Sequence, residues 1–385
     1  MGVLILVKGE LRYDRAPSSR ALHIARYLQN HDIQTTLMGL ESDDPVVPET
    51  ITDPIMVKKR YGGKIGVTLV KIPFLRNAYR LFRTKKVRNV IIRNHWQGML
   101  FMPIAKLFGV RIFYDFHGYG YVEQRLRGRK FKPYITKFFE QLCLKSADHV
   151  ITQNLHNITL AKELNDNVLY LDNGVDTYQF TIENGMGTAE VRSLKERFGI
   201  PDEKFIVGFV ANVAQLMDLD CMLKSTASFD PGIHFVVVGS GKQLDRIDAA
   251  HYPNVTFTGR IDHSDIKNIL RTFDICMYSL SQSVADPFHG SPRKLKEWIA
   301  MGIPVIMTDI NPKPPYLREW KNVIFVGSDK PEAWSDAVNR LAKNADLLQG
   351  MRDENLSLRD TISWDHVIDT SGLLGALKRE DGDRV

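Results

Sequence analysis

The chain has 385 residues, of which 44% are hydrophobic and 25% are charged. These globular proportions exclude wholesale disorder and fibrous repeats, and three scattered cysteines are too few for a disulfide framework or a zinc site. No apolar stretch reaches about 18 residues, so the sequence predicts no bilayer-spanning segment, and reduced thiols are typical of a cytosolic protein.

The charge is concentrated in the first half of the chain. Residues 1–178 contain 27 basic and 16 acidic residues, whereas the remainder contains 24 and 29. Between Asp53 and Asp115 there are 14 basic residues and no acid. A half this basic predicts an anionic partner, which is a membrane surface, a nucleic acid or a phosphorylated substrate.

Strand and helix patterns alternate along the chain and then restart. In the first half, the sequence predicts strands over 3–8, 34–39, 90–92, 111–114 and 149–153, and helices over 19–30 and 137–146. In the second half, it predicts strands over 205–210, 234–238, 254–258, 275–278, 304–307 and 323–326, and helices over 219–227, 262–271, 292–301 and 331–342. Residues 181–203 are polar and are predicted to form a linker or loop. This alternation predicts two consecutive α/β domains with parallel sheets, whose ligands bind beyond the carboxyl ends of the strands.

The stretch 289–306 carries the most chemical information. Ser291 is expected to be the N-cap of a helix and Pro292 its first residue, so that free amides at this helix start can hold a phosphate. Arg293 and Lys294 oppose the helix dipole there, and an anionic ligand would offset that cost. Glu297 lies one turn further on, where it could reach a ribose hydroxyl. An ordinary exposed basic turn with a solvated glutamate is the competing interpretation.

This stretch resembles the signature of the GT-B glycosyltransferases of family four, which are retaining nucleotide-sugar transferases. Residues 291–297, Ser-Pro-Arg-Lys-Leu-Lys-Glu, fit a common variant of that signature. Asn-Gly-Val-Asp at 173–176, the strand with Gly-Ser-Gly at 236–241, Thr-Gly-Arg at 258–260 and Trp364 agree with the family in order and spacing. The resemblance implies a GT-B fold with two Rossmann-like, doubly wound domains facing a cleft. These are an acceptor-binding domain over 1–178 and a nucleotide-sugar-binding domain over 179–360, followed by 361–385, which hold a helix crossing back to the first domain and a charged tail.

The resemblance also implies roles for individual residues. Glu297 would bind the donor ribose, and the amides of Arg293, Lys294 and Leu295 would bind the diphosphate. Gly239 and Gly241 would let the base or phosphate approach the backbone, and His117 would point at the transferring sugar. The implied donor-binding residues are Gly9, Gly239, Gly241, Arg260, Ile261, His289, Ser291, Leu295 and Glu297. The implied catalytic residues are His117, Glu297, Arg293 and Lys294.

Three positions depart from the family pattern. Asn212 and Met217 stand where the family usually has an arginine and a lysine that neutralise the leaving diphosphate, and His289 replaces the first glutamate of its pair. Charge on the leaving group must be stabilised for transfer to proceed. Arg293, Lys294 and Lys242 are the basic residues available to do so.

Other motifs predict neither a metal nor a cofactor. Asp218-Leu219-Asp220 has the Asp-x-Asp spacing of some metal-dependent glycosyltransferases, but we interpret these acids as helix N-terminal charges. Leu244 stands where a dinucleotide fingerprint needs its third glycine, and no Walker motif is present. The metal site is therefore predicted to be none, with the nucleotide sugar as the donor substrate.

The basic stretch Val67–Val87 interleaves apolar and basic residues, which favours an amphipathic surface on anionic lipid. No nucleic-acid module accompanies it. We therefore expect a cytosolic glycosyltransferase, peripheral to the inner membrane face, with a lipid-linked or saccharide acceptor. Asp14–Arg20 and Phe116–Tyr121 also resemble the inverting β-mannosyltransferases that extend dolichol-linked chitobiose, so the stereochemistry stays open. The alternatives are a catalytically weak or inactive GT-B partner that binds glycolipid, and a sugar-nucleotide epimerase.

Overall fold

The computed structural model describes residues 2–11, 16–41, 54–58, 71–126, 128–181, 187–212, 217–241, 243–281 and 292–379. The chain divides into two compact units, one formed by Met1–Asn173 together with Trp364–Val385 and the other by Gly174–Ser363. These boundaries differ by a few residues from the expected 178/179 and 360/361. Val175 explains the difference at the first boundary, because its amide bonds to the carbonyl of Ile362 and places this stretch in the second unit.

The first unit is built on a parallel sheet. Its described strands are β1 (Gly2–Glu10), β2 (Gln34–Leu40), β3 (Ile55–Val57), β4 (Asn89–Ile92), β5 (Arg111–Phe116), β6 (His149–Thr152) and β7 (Val168–Tyr170). They lie in the order β3-β2-β1-β4-β5-β6-β7, and each recorded pair is parallel. The short continuous apolar runs of β1, β4 and β5 are buried on both faces, as parallel strands require.

Helices cover both faces of this sheet. The described helices are α1 (Ala16–Asn30), α2 (Lys71–Arg83), α3 (His95–Leu107), α4 (Gly120–Leu126), α5 (Lys132–Ser146), α6 (Leu155–Lys162), α13 (Trp364–Asp369) and α14 (Leu373–Lys378). α1, α13 and α14 pack into one core cluster with β1. α2, α3 and α5 pack into a second cluster on the sheet. The last helices of the chain therefore belong to the core of the first unit, where Trp364 stacks on His23 with ring centroids 4.7 Å apart.

The second unit repeats this architecture. Its described strands are β8 (Phe205–Asn212), β9 (Ile233–Ser240), β10 (Val255–Gly259), β11 (Ile275–Tyr278), β12 (Val305–Thr308) and β13 (Val323–Val326), in the parallel order β10-β9-β8-β11-β12-β13. Its described helices are α7 (Thr188–Phe198), α8 (Leu219–Ser225), α9 (His263–Leu270), α10 (Arg293–Ala300), α11 (Pro331–Lys343) and α12 (Ala345–Ser357). The prediction of an α/β fold with two doubly wound parallel sheets is confirmed.

The strand order reverses once in each sheet, between β1 and β4 and between β8 and β11. In open α/β sheets, ligands bind beyond the carboxyl ends of the strands at such a reversal. His117 follows β5 in the first unit, and α10 follows β11 in the second. The topology therefore directs attention to these two edges.

One sequence-based expectation is wrong. Residues 181–203 do not form only a linker, because α7 lies within them; it begins where Glu190 accepts a bond from the Gly187 amide at 2.8 Å and ends at Gly199 in the left-handed region. The amphipathic stretch Val67–Val87, where it is described as α2, buries Phe74, Ala78 and Phe82 in the first unit's own core, while Ile72 and Tyr79 stay exposed.

Candidate active site

α10 begins at Arg293, one residue later than the sequence predicted. Pro292 has an extended backbone, with φ −72° and ψ 118°, and so occupies the N-cap position instead of the first turn. Both positions suit proline, whose φ is fixed and whose missing N–H costs nothing there. Ser291, the expected N-cap, and His289 lie outside the described residues. The helix ends as predicted, with Gly302 at φ 71° before β12.

The first turn of α10 uses one of the three amides that were expected to bind diphosphate. The Leu295 amide donates to the carbonyl of Pro292 at 3.1 Å, and the Leu295 side chain is buried in the core. The amides of Arg293 and Lys294 precede the first intrahelical bonds, and amides in that position are suited to an anion. The diphosphate contact at this helix is therefore expected from two amides and not from three.

Arg293 and Glu297 lie on the same side of α10, four residues apart. Nη2 of Arg293 is 3.8 Å from Oε1 of Glu297, and only 9% of the Glu297 side chain is exposed. A carboxylate this buried needs a cationic or hydrogen-bonding neighbour. The pair thus places one acceptor and one cation together near the start of the helix.

Lys294 lies between the helix start and the end of β11. Its ammonium is 5.3 Å from the ring centroid of Tyr278, the last residue of β11. Burial lowers the pKa of Lys294 to about 8, although the nearby Glu297 acts in the opposite direction. An ammonium so poorly solvated gains more from a bound anion than an exposed one does. Lys294 therefore has the electrostatics of an anion-binding residue.

The glycine loop after β9 lies against the end of β8. Gly239 has φ 136°, and a Cβ there would collide with the carbonyl of Ala211. Gly241 has φ 154°, so both glycines have backbones that other residues rarely adopt. Asn212 pairs with Ser240 in the same register, which brings the ends of the two strands together. Glycine at 239 is thus required by packing, whatever ligand the loop binds.

A cavity of about 310 Å³ opens beside this loop. Its lining includes both glycines and residues from the following turn and strand, namely Gly239, Gly241, Leu244, Asp245, Phe257 and Gly259. Arg260 and Ile261 come directly after Gly259; Arg260 is exposed and Ile261 packs on the core. The structure therefore brings together the glycines and the β10 turn that the sequence assigned to donor binding.

Met217 is buried where the family pattern has a lysine. Its side chain is only 8% exposed within the core of the second unit, and its carbonyl accepts a bond from Nε2 of Gln243 at 3.1 Å. This environment suits a thioether and not an ammonium. Residue 217 therefore does not supply the positive charge that the family's lysine brings to the leaving diphosphate. Lys242, one expected substitute, lies outside the described residues.

His117 is held in one orientation at the carboxyl end of β5. Its Nε2 is 2.8 Å from Oδ2 of Asp115, and its Nδ1 is 3.4 Å from Nη2 of Arg93. A carboxylate only accepts and a guanidinium only donates, so Nε2 carries the hydrogen and Nδ1 accepts. Burial lowers the pKa of His117 to about 4, against the opposing effect of Asp115 and with a further lowering from Arg93. The ring is therefore neutral at pH 7.

Arg20 is the centre of the hydrogen bonds behind this histidine, and sequence reasoning did not single it out. Its guanidinium contacts both oxygens of Asp115 at 3.3 and 3.2 Å, and it also donates to the carbonyls of Leu171 and Asp172 and to Oδ1 of Asn173. Burial alone would raise the pKa of Asp115, but Arg20, with His117 and Arg93, holds it well below its usual range. A signal did exist in the sequence, since an arginine one turn into an apolar helix needs a buried partner.

Glu140 fixes the loop that follows His117. It is buried and accepts bonds from the amides of Gly120 at 2.8 Å and Tyr121 at 3.3 Å, while Nδ1 of His95 lies 3.4 Å away. The adjacent Trp96 ring is 5.1 Å from that of His95. His95 thus forms part of a packed corner.

Gly9 lies within the last part of β1 and not in a loop after it. Its φ is 102°, and a Cβ there would meet nothing within 4 Å. The pairing of β1 with β2 shifts its register between Leu6 and Glu10, the interval that contains this glycine. Among the described parts of both units, no group of three or more His, Cys, Asp or Glu side chains is arranged to hold a metal ion.

Comparison with known proteins supports the fold and the enzyme class. Residues 192–344 match the model of the glycosyl transferases of group 1. The chain is a GT-B glycosyltransferase. It is 24% identical to the D-inositol 3-phosphate glycosyltransferase of Salinispora arenicola, over 92% of this chain and 84% of that protein.

Solved structures share the fold of this glycosyltransferase over almost its whole length. HepE of Anabaena in complex with UDP and glucose superposes with a TM-score of 0.75 at 11% identity, covering 98% of this chain and 100% of HepE. Sucrose-phosphate synthase from Thermosynechococcus elongatus gives 0.71 at 15% identity, covering 97% and 98%. The predicted GT-B glycosyltransferase assignment is therefore confirmed at the level of fold and enzyme class.

Proposed function

We propose that this glycosyltransferase transfers a sugar from a nucleoside-diphosphate sugar to a lipid-linked or cell-surface saccharide acceptor at the cytosolic face of the membrane. The observation that carries the donor half of this proposal is the start of α10. It combines two helix amides, the cations of Arg293 and Lys294 and the buried carboxylate of Glu297, next to the strand reversal of the second sheet. A diphosphate with an attached ribose is the ligand that such a set of groups complements.

In the proposed reaction, the bond between the anomeric carbon and the diphosphate breaks and a bond to the acceptor hydroxyl forms. Arg293 and Lys294 stabilise the charge that develops on the departing diphosphate, which removes the need for a metal. Glu297 accepts hydrogen bonds from the ribose hydroxyls. The glycines at 239 and 241 let the nucleotide approach the backbone of the second unit, with Arg260 and Ile261 beside the base.

His117 is proposed to orient the sugar and not to transfer a proton. It is neutral, and both ring nitrogens already have neighbours, of which the Nδ1 contact to Arg93 is the longer at 3.4 Å. A sugar hydroxyl would replace Arg93 as the donor to that Nδ1. The acceptor proton then passes to the departing diphosphate, consistent with attack from the leaving-group face and retention of configuration.

A melting-temperature panel tests the donor. HepE was solved with UDP, so UDP and UDP-glucose come first, followed by the other nucleoside diphosphates and their sugars. A ligand at about a hundred times its Kd stabilises the folded protein by about 2.7 kcal/mol, which raises Tm by about 5–10 °C. If no nucleotide in the panel raises Tm, the donor proposal is wrong.

The matched variants are Glu297→Gln and Glu196→Gln. Glu297→Gln should weaken donor binding about tenfold or more, because the amide loses the charge-assisted bonds to ribose. Glu196 is an exposed residue of α7 and its variant should bind normally. The anomeric configuration of the product, read by NMR, then decides between retention and inversion.

A further inference from the structure

Large apolar side chains are exposed mainly on one part of the first unit. Of the eleven exposed large hydrophobic residues among those described, nine lie between positions 72 and 142. They are Ile72, Tyr79, Trp96, Leu107, Phe131, Tyr134, Ile135, Phe138 and Leu142. Single exposed apolar residues need no explanation, whereas a cluster of this size indicates an interaction surface.

α5 carries the densest part of this cluster. Phe131 at its N-cap is 82% exposed, Tyr134 68% and Phe138 62%, and Ile135 and Leu142 continue the row. Residues three and four apart lie on one side of a helix. The outer side of α5 therefore presents a continuous apolar stripe, while its inner residues Cys143 and Leu144 are buried in the core.

The neighbouring helices extend this stripe. α2, α3 and α5 bury their inner sides in the same core cluster, so they cover one face of the first sheet together. Trp96 at the start of α3 lies 6.3 Å from Phe139 of α5, and Tyr79 of α2 lies 5.4 Å from Phe108 just after α3. We name the outer side of these three helices the α2-α3-α5 face.

The charge of residues 71–145 favours an anionic partner. From Lys71 to Lys145, the sequence has 17 basic residues and three acids, and two of those acids, Asp115 and Glu140, are buried. Lys130 and Lys132 flank the start of the stripe and are exposed. Long lysine side chains at the edge of an apolar stripe can reach lipid headgroups while the aromatic rings enter the interface.

We infer that the α2-α3-α5 face docks on an anionic lipid bilayer, with the stripe Phe131, Tyr134, Ile135, Phe138 and Leu142 inserted at the headgroup level. The inference rests on the proposed function for its biological meaning, since it would place the first unit beside a lipid-linked acceptor. The docking itself needs no donor. The sequence-based expectation placed lipid contact on the basic first domain, with 67–87 as its amphipathic surface; the inference adds α3 and α5 to that surface.

Vesicle flotation tests the docking directly. The full chain is mixed with vesicles of pure phosphatidylcholine or of phosphatidylcholine with 30% phosphatidylglycerol, without nucleotide. We expect flotation with the anionic vesicles and little with the neutral ones, and a decrease in binding as salt rises. Equal binding to both vesicles, or to neither, would overturn the inference.

Two exposed substitutions separate the apolar and the charged contributions. Phe138→Asp should lower the vesicle partition coefficient about tenfold or more, because a carboxylate replaces an inserted ring. Lys132→Glu should lower it about fivefold or more. The controls are Tyr178→Asp, at an 83% exposed position of the second unit, and Lys321→Glu; both should float like the wild type. Circular dichroism melting verifies that all four variants are folded.

Two further measurements complete the test. Sedimentation velocity without lipid reports whether the stripe joins two copies of the chain. If the wild type is a dimer that Phe138→Asp dissociates, and it does not float with vesicles, the stripe is a dimer interface and not a lipid-binding surface. Donor hydrolysis in solution reports on the proposed function separately. If the wild-type protein does not float but hydrolyses a donor, the docking is refuted and the proposed function stands. If it floats but binds no nucleotide, the proposed function is refuted and the docking stands.

Discussion

Nε2 of His117 lies 2.8 Å from Oδ2 of Asp115, and the same carboxylate receives both ends of the fully buried Arg20 guanidinium. Arg20 comes from α1 and also bonds to the backbone after β7, so three separate parts of the first unit meet at one histidine. The orientation of His117 is thus a property of the folded unit and not of its loop.

Asp115→Asn should destabilise the protein by about 3–5 kcal/mol, because it leaves the charge of Arg20 buried without its counter-ion. Urea denaturation measures the change. Asp365→Asn is the control, since the Asp365 carboxylate is 66% exposed and its ion pair with Arg26 is long, at 3.9 Å. The stability of this variant should match that of the wild type. If Asp115→Asn were equally harmless, Arg20 would be neutralised by other groups.

Donor affinity should be constant at neutral pH and fall as pH rises above about 8. The reason is Lys294, whose pKa burial lowers to about 8. Only its protonated form attracts a diphosphate, so affinity is full below that pKa and is lost as the proton leaves, with a limiting slope of about tenfold per pH unit. Calorimetric titration of UDP between pH 6.5 and 9.5 measures this dependence.

Lys294→Met is the matched variant for that experiment. It should bind UDP more weakly at pH 7 and should remove the decrease above pH 8. A variant that still lost affinity in the same pH range would assign the titration to another group and exclude Lys294 from the diphosphate contact.

Gly239→Ala should destabilise the second unit by about 2 kcal/mol or more, because its Cβ would collide with the Ala211 carbonyl at a φ that alanine rarely adopts. Gly232→Ala provides the comparison. That glycine precedes the same strand, and a Cβ there would meet nothing within 4 Å. Thermal melting of both variants measures the difference, and equal Tm values would contradict the close approach of β8 and β9.

Met217→Lys should not restore activity, although it recreates the residue common in the family. The side chain is buried, so the added ammonium is expected to cost about 2–4 kcal/mol of stability. Leu107→Lys, at a 77% exposed position, should leave stability unchanged. A folded Met217→Lys protein with faster donor turnover would show instead that this position can turn towards the donor.

Eleven of the thirteen described strands could be predicted closely from the sequence, whereas the three-residue strands β3 and β7 were missed. β11 and β13 lie at the predicted residues, because each is a short apolar run with a clear turn on both sides. α7 could not be predicted, since its residues are mostly polar and, among its described side chains, Leu194 alone is buried. α3 was also missed; it contains Pro103 and Gly98, and a Cβ at Gly98 would collide with Sγ of Cys143, a contact from a distant helix.

The candidate site also has parts that could be predicted from the sequence and parts that could not. The start of α10 and the glycine loop could be found from the sequence because each is a local motif. The hydrogen bonds around His117 could not, since Arg20 and Asp115 are 95 residues apart and only the fold brings them together. The burial of Met217 likewise depends on tertiary packing, which the substitution itself does not reveal.

The route of the chain through the two units has a practical consequence. The second unit is one uninterrupted stretch, Gly174–Ser363, whereas the first is completed only by the segment after Ser363. α13 and α14 supply Trp364, Ile368, Leu373 and Leu377 to its core. Expression of 174–363 alone should therefore yield a soluble piece, while 1–173 alone should aggregate until the 364–385 peptide is added back.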